Sequence, residues 1–259
     1  IKFNFLKKPL ILITNDDGIN AKGLYSLIEV SKEFGEIVVV APNKPQSGMG
    51  HAITINNPLR LYKSTIFDGV EAYSSTGTPV DCVKLGLFEV LKRKPDFIFS
   101  GINHGENTST NVLYSGTMAA AIEGSMEGIA SIGFSLADFN PEADFNPSKA
   151  IIKDLLTKLV VKKIPSNICL NVNIPKISLN KIKGFKICNQ ARAFWDDRFE
   201  KRMDQFGKPY YWLTGDFSST NVEPTMDLFA IKNNYVSIVP TQYDMTSYQS
   251  MELIKKWDL

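Results

Sequence analysis

Apolar positions in this chain alternate between short unbroken runs and helical stripes. The run LILIT, residues 10–14, reads as a buried strand, and IVVVA, 37–41, as a second. Between them Leu24, Leu27, Ile28 and Phe34 recur at helical spacing, which predicts a helix over 22–34 with Gly35 as its stop. HAITI at 51–55, LRLY at 59–62 and VEAYSS at 70–75 read as shorter strands, with His51 beginning the first of them. The segment TGTPVDCVKLGLFEVLKRK opens a helix: Thr78 suits the N-cap, Pro79 the first turn and Asp81 the third position of a capping box, and Lys92, Arg93 and Lys94 suit its C-terminal end. DFIFS at 96–100, IASIGFS at 129–135 and ICLNVNI at 168–174 continue the strands, with helices predicted over 116–127 and from Asn146 and Pro147 to about Lys163.

This rhythm predicts an α/β fold: a three-layer, Rossmann-like, mostly parallel sheet with helices on both faces and right-handed crossovers. It breaks near residue 180. The stretch around DQFGKP alternates polar and aromatic residues and reads as a β-hairpin, followed by a late strand in YVSIVPTQ and a terminal helix in YQSMELIKKW. The expected division is an α/β catalytic core over 1–180 and an extension over 181–259 that serves oligomerisation. No fixed-period repeat or low-complexity linker interrupts the chain.

Composition narrows the function by exclusion. The 259 residues are 44% hydrophobic and carry a net charge of only +2, too little to argue for a nucleic-acid polymer or a membrane surface as partner. No apolar stretch reaches the roughly 18 residues of a membrane span, and the run from Leu10 is too short for a signal peptide, so a soluble cytoplasmic protein is expected. Cys82, Cys169 and Cys188 are scattered, without CxxC spacing, and read as buried thiols of a reducing compartment. Two histidines, His51 and His104, do not make a multi-histidine zinc site.

The candidate chemistry lies after the strands, because an open parallel sheet binds ligands beyond its carboxyl ends. The first strand runs into Asn15, Asp16, Asp17 and Gly18; two adjacent carboxylates in one small volume repel unless a cation or protons sit between them. PNKPQSGMG, with Ser47, follows the second strand, and GINHGENTSTNVLYSGT, with Asn103 and Asn107, follows DFIFS. Oxygen donors of this kind suit Mg²⁺, Mn²⁺ or Ca²⁺. Ser115, Gly116 and Thr117 open the small-residue helix and can present backbone N–H groups to a phosphate. Neither a G-x-x-x-x-G-K-[ST] loop nor a G-x-G-x-x-G fingerprint follows the first strand, which argues against an ATPase or a dinucleotide enzyme. Each feature also has a plainer reading. Ser47 and Asn103 taken singly could be turn residues, and Ser115 and Thr117 helix caps. His104 could be a loop hydrogen-bonder, Asp196 and Asp197 a solvated face among cations, and Trp195 hairpin packing.

Taken together, ILITNDDGINAKGL, APNKPQSGMGHAITI, STGTPVDCVKLGL and SGINHGENTSTNVLYSGTMAAAIEG resemble the signature regions of the SurE survival-protein family, strongly over about 10–135 and more weakly toward YVSIVPTQYDMT. The resemblance implies a metal-dependent phosphatase acting on nucleoside monophosphates, with short polyphosphate as a further substrate. It implies one divalent ion per subunit, Mg²⁺ or Mn²⁺ with Co²⁺ as a third candidate. Asp16, Asp17, Ser47 and Asn103 would hold the ion, and Asp16, Asp17 and Asn103 would be the catalytic residues. Ser115, Gly116, Thr117 and Asn107 would take the substrate phosphate. Water activated by the ion is the expected nucleophile, with direct attack by Asp16 or Asp17 as the alternative. Family members form dimers and tetramers partly by exchanging the C-terminal hairpin, so a homodimer or homotetramer is expected. Ser109 stands where the family has glycine, and Asn111 where it has an acid, which implies a differently shaped third loop. A nucleotide-binding sensor without turnover and a metal-dependent nucleotide-sugar transferase are the rival readings.

Overall fold

Continuous apolar runs become the centre of one sheet. A computed structural model describes residues 8–162, 164–219 and 222–257. The strands are β1 (Leu10–Thr14), β2 (Glu36–Pro42), β3 (Leu61–Ser64), β4 (Glu71–Ser75), β5 (Phe97–His104), β6 (Ala130–Leu136), β7 (Cys169–Ile174), β8 (Phe185–Ile187), β9 (Ala193–Met203), β10 (Pro209–Ser219) and β11 (Val236–Thr241). The α-helices are α1 (Lys22–Ser31), α2 (Pro79–Leu85), α3 (Gly116–Met126), α4 (Asn146–Lys162), α5 (Asp227–Lys232) and α6 (Tyr248–Ile254). Nine strands form the main sheet in the order β3-β4-β2-β1-β5-β6-β7-β11-β8, and β9 and β10 pair as a separate hairpin. Within the large sheet only the β3–β4 and β7–β11 pairs are antiparallel.

Side-chain alternation along β1 separates two cores. Ile11 and Ile13 join Leu24, Leu27 and Ile28 of α1 and Ile152, Leu155 and Leu156 of α4 on one face. Leu10 and Leu12 join Cys82 and Val83 of α2 and Ala120 of α3 on the other. A strand of period two can serve both faces only if every residue is apolar, which is why LILI is unbroken. Burying each of these Leu and Ile side chains contributes about 1.5–3 kcal/mol. The expected three-layer α/β architecture, with its hairpin and terminal helix, is therefore what forms. Cys82, Cys169 and Cys188 are free and buried, as read from the sequence.

The capping box at α2 forms in both directions: Thr78 Oγ1 accepts from Asp81 N at 3.1 Å, and Thr78 N donates to Asp81 Oδ2 at 2.9 Å. It also explains two corrections. HAITI is not a strand, and His51 begins none. The Asp81 carboxylate draws in Thr54, accepting from its N at 3.1 Å and its Oγ1 at 2.6 Å, while Thr78 Oγ1 donates to Ala52 O at 2.7 Å. Side chains at the helix N-terminus thus take up the backbone groups that a sheet partner would have used. LRLY is likewise displaced, its strand starting at Leu61, and α1 ends at Ser31 rather than Phe34. α2 stops at Leu85 and runs on as a wider π-helical turn, Gly86–Val90, so Lys92 to Lys94 lie beyond the helix. The expected end of α4 at about Lys163 falls outside the described residues.

Sheet order sets the position of the site. From β1 the chain moves to β2 on one side and later returns to β5 on the other, so the order reverses beside β1. Ligands bind at such a switch point, beyond the carboxyl ends of the strands. Thr14 pairs with Ser100, so the residues after β1 and the end of β5 emerge side by side.

Candidate active site

Asp16 follows the end of β1 and is buried. Its Oδ1 accepts a short hydrogen bond from the Thr117 hydroxyl. Burial, and then the charge of Asp17, push the Asp16 carboxyl from 3.8 up to about 7. Gly116 lets α3 approach closely: a Cβ there would lie 2.8 Å from Asp16 Cβ and 3.1 Å from Pro79 Cγ. Asp17 is half-buried, and its Oδ2 accepts from His104 N at 3.3 Å. Burial raises its carboxyl too. Gly18 turns the chain with φ of +93°, a conformation that side chains other than glycine's resist.

The loop carrying Ser47 is tied to this corner. Gln46 N donates to Asp16 O at 2.7 Å, and Gly50 N donates to Tyr114 O at 3.1 Å. Farther along, His51 Nε2 lies 2.8 Å from Glu123 Oε2, and Glu123 also binds the Lys84 ammonium. These partners hold the buried Glu123 carboxyl below its usual range. Ser47 itself is exposed at the mouth.

Asn103 sits where the β5–β6 register shifts, an irregularity that re-aims side chains. Its Nδ2 donates to His104 O at 3.1 Å and to Gly105 O at 2.8 Å. With its amide protons committed, Asn103 has Oδ1 left to offer as a ligand.

Asp16, Ser47, Asn103, Asn107 and Ser115 line one cavity of about 740 Å³. Asp17, Gly116 and Thr117 stand behind that wall: Thr117 is directed at Asp16, and Asp17 at the His104 amide. Ser115 caps α3, accepting from Met118 N at 3.0 Å. Asn107 is buried in an amide network. Its N donates to Asn173 Oδ1 at 2.7 Å, its Nδ2 to Ser135 Oγ at 2.8 Å, and its O accepts from Asn171 Nδ2 at 2.7 Å. His104 lines the cavity and packs its ring edge-on against Phe145 at 4.9 Å.

A divalent cation fits these residues. Two carboxylates forced together with raised proton affinity, a serine hydroxyl and an amide oxygen freed by its own N–H bonds form a hard-oxygen set. Among the described residues no three His, Cys, Asp or Glu side chains converge on a metal position.

The far wall was not legible in the sequence. Trp195, Asp197, Leu213 and Gly215 of the hairpin line the same cavity, together with Glu106, Asn111, Tyr114 and Phe139. Trp195 Nε1 donates to Asn111 Oδ1 at 2.9 Å, so the indole is cavity wall and not merely hairpin packing. Period two along β9 puts Trp195 and Asp197 on one face, which was the available signal. The hairpin base is pinned by the departure at Ser109. This residue adopts φ of +56° in place of a glycine, its Oγ donates to Ala193 O at 2.6 Å, and its N donates to Asp227 Oδ2 at 2.9 Å.

The family model for the survival protein SurE matches residues 11–197. A 5'-nucleotidase SurE of Flavobacterium johnsoniae is 54% identical over 254 residues, covering 98% of each chain. One from Phocaeicola vulgatus is 44% identical over 256 residues, again covering 98% of each. The crystal structure of the SurE protein from Aquifex aeolicus superposes with a TM-score of 0.81 at 38% identity, covering 95% of this chain and 98% of that one.

Proposed function

The chain belongs to the SurE family, and from that membership we propose that it is a 5'-nucleotidase, a phosphomonoesterase that splits nucleoside monophosphates into nucleoside and phosphate with the help of one divalent cation. The observation that carries this reading is the meeting of Asp16, Ser47, Asn103 and Ser115 on one cavity at the sheet's switch point.

Asp16, Asp17, Ser47 Oγ and Asn103 Oδ1 would hold Mg²⁺ or Mn²⁺, with Co²⁺ as a third candidate. When bound, the ion neutralises the two acids and acts as Lewis acid toward a phosphate oxygen. The chain's own residues do the rest. Thr117 fixes the Asp16 rotamer through its hydroxyl, and the His104 amide fixes Asp17. Gly116 and Thr117, at the start of α3 behind that wall, would stabilise charge on the phosphate oxygens, with Ser115 and Asn107 on the wall itself. With both carboxylates holding the cation, neither would be free to act as nucleophile, and water would take that role; a trapped phosphoaspartate would overturn that choice.

Residues 1–180 are assigned to catalysis and 181–259 to assembly as a homodimer or homotetramer. Exposed Phe199, Phe206, Tyr211 and Trp212 on the hairpin support the second role. Among the described residues no helix is long and apolar enough to cross a membrane, and a cytoplasmic location is proposed. The test is phosphate release from a panel of nucleoside monophosphates with Mg²⁺, Mn²⁺ or Co²⁺. Release should be abolished by chelator and by Asp16→Asn. Tight nucleotide binding without release under any of these ions would favour a sensor instead.

A further inference from the structure

The cavity that holds the proposed cation set carries more acid than the cation needs. Asp16, Glu106 and Asp197 all line it, and among the described residues no Lys or Arg does. A wall meant for polyanions would carry the opposite charge. Glu106 belongs to the loop after β5, three residues past Asn103 and five before Asn111, which is bonded to Trp195. It therefore stands on the stretch of chain joining the cation end of the cavity to its aromatic end. A nucleoside monophosphate has the same order: phosphate, then ribose, then base.

Resting on the 5'-nucleotidase reading, we propose that Glu106 is a specificity residue, whose carboxylate accepts hydrogen bonds from the ribose hydroxyls and, with Asp197, repels any second phosphate. A carboxylate accepts only, so it favours a diol and disfavours an anion. Glu106 is half-buried beside the Thr108 hydroxyl, with Asp227 and Lys232 exerting opposing fields on it. Burial is the largest influence on its carboxyl and raises it, while a hydrogen bond from the Thr108 hydroxyl opposes the rise; two carboxylate oxygens have room for further donors beside that one. Asp197 reaches the same cavity from a different element, β9. This predicts that polyphosphate, expected as a substrate from the family resemblance, is handled poorly by this chain.

The experiment measures kcat/KM at low ionic strength for a ribonucleoside 5'-monophosphate, its 2',3'-dideoxy analogue and inorganic tripolyphosphate. Wild type is compared with Glu106→Gln, Glu106→Ala and Asp197→Asn, with melting curves to establish that each variant is folded. The ratio of monophosphate to tripolyphosphate should fall by about tenfold in Glu106→Gln and also fall in Asp197→Asn, as loss of like-charge repulsion requires. The ratio of ribo to dideoxy substrate should fall by about tenfold in Glu106→Ala, the loss of a charge-assisted hydrogen bond. If the folded variants keep wild-type ratios while wild type hydrolyses the ribonucleotide, the role of Glu106 is wrong and the nucleotidase reading stands. If wild type releases no phosphate from either nucleotide, it is the nucleotidase reading that fails.

Discussion

Replacing Asp16 by Asn is expected to abolish phosphate release and, without divalent ion, to stabilise the protein. In the unfolded chain this carboxyl ionises near 3.8; in the folded chain it holds its proton until about 7. An acid with a raised folded value costs stability as pH climbs from the lower value to the higher, and the cost is complete above the higher. The difference is about three units, and at about 1.36 kcal/mol each the ceiling is roughly 4 kcal/mol. Asn keeps the acceptor for the Thr117 hydroxyl and removes the charge, so much of that ceiling should be recovered. Urea unfolding in chelator, at several pH values from 4 to 8, reads this directly. Wild type and variant should converge near pH 4 and diverge by about 2–4 kcal/mol in the variant's favour at pH 8. Saturating Mn²⁺ or Mg²⁺ should then stabilise wild type, by an amount set by ion concentration over Kd, and leave the variant nearly unmoved. Equal stabilities at pH 8 in chelator, or a gap that does not grow with pH, would refute the argument that burial, with the neighbouring Asp17 charge, makes ionised Asp16 costly until a cation binds.

Glu123→Gln removes a buried carboxylate bonded to His51 and Lys84 and should cost about 2 kcal/mol at pH 7. Because the folded carboxyl lies below its ordinary 4.5, that contribution is present above 4.5 and lost as pH falls through the folded value, so variant and wild type should converge in acid unfolding curves. Gly116→Ala drives a methyl to 2.8 Å from Asp16 Cβ; kcat/KM should drop by about 100-fold, from misplacement of the carboxylate, with circular dichroism unchanged. Asp227→Ala leaves the Ser109 and Ala191 N–H groups, donating to it at 2.9 and 3.0 Å, without their buried acceptor. Melting should register a loss of about 3 kcal/mol, and KM should rise as the hairpin wall loosens.

Asp16, Ser47 and Asn103 could be gathered from the sequence because each follows an apolar run, and a parallel sheet brings the ends of such runs to one edge. Their number and type already argued for a hard cation. Asn103 needed the structure for a different reason: only the two carbonyls holding its Nδ2 reveal that Oδ1 is what it can offer. HAITI alternates like a strand, yet Asp81 and Thr78 claimed its backbone groups, a competition that depends on a helix N-terminus more than twenty residues away in sequence. Trp195 and Asp197 read as hairpin surface because nothing nearby in sequence indicates what a hairpin will lean against.

The sequence by itself determined the layered α/β fold, the two-faced burial of β1 and the paired acids at its end, since these follow from local periodicity and from like charges placed side by side. Only the tertiary structure decided that the Ser47 loop is latched to α3 through Glu123, that Ser109 and Asp227 pin the hairpin over the cavity, and that Glu106 lines the cavity. Those contacts join residues some 70 to 120 positions apart. Packing selects such partners, and periodicity carries no information about them.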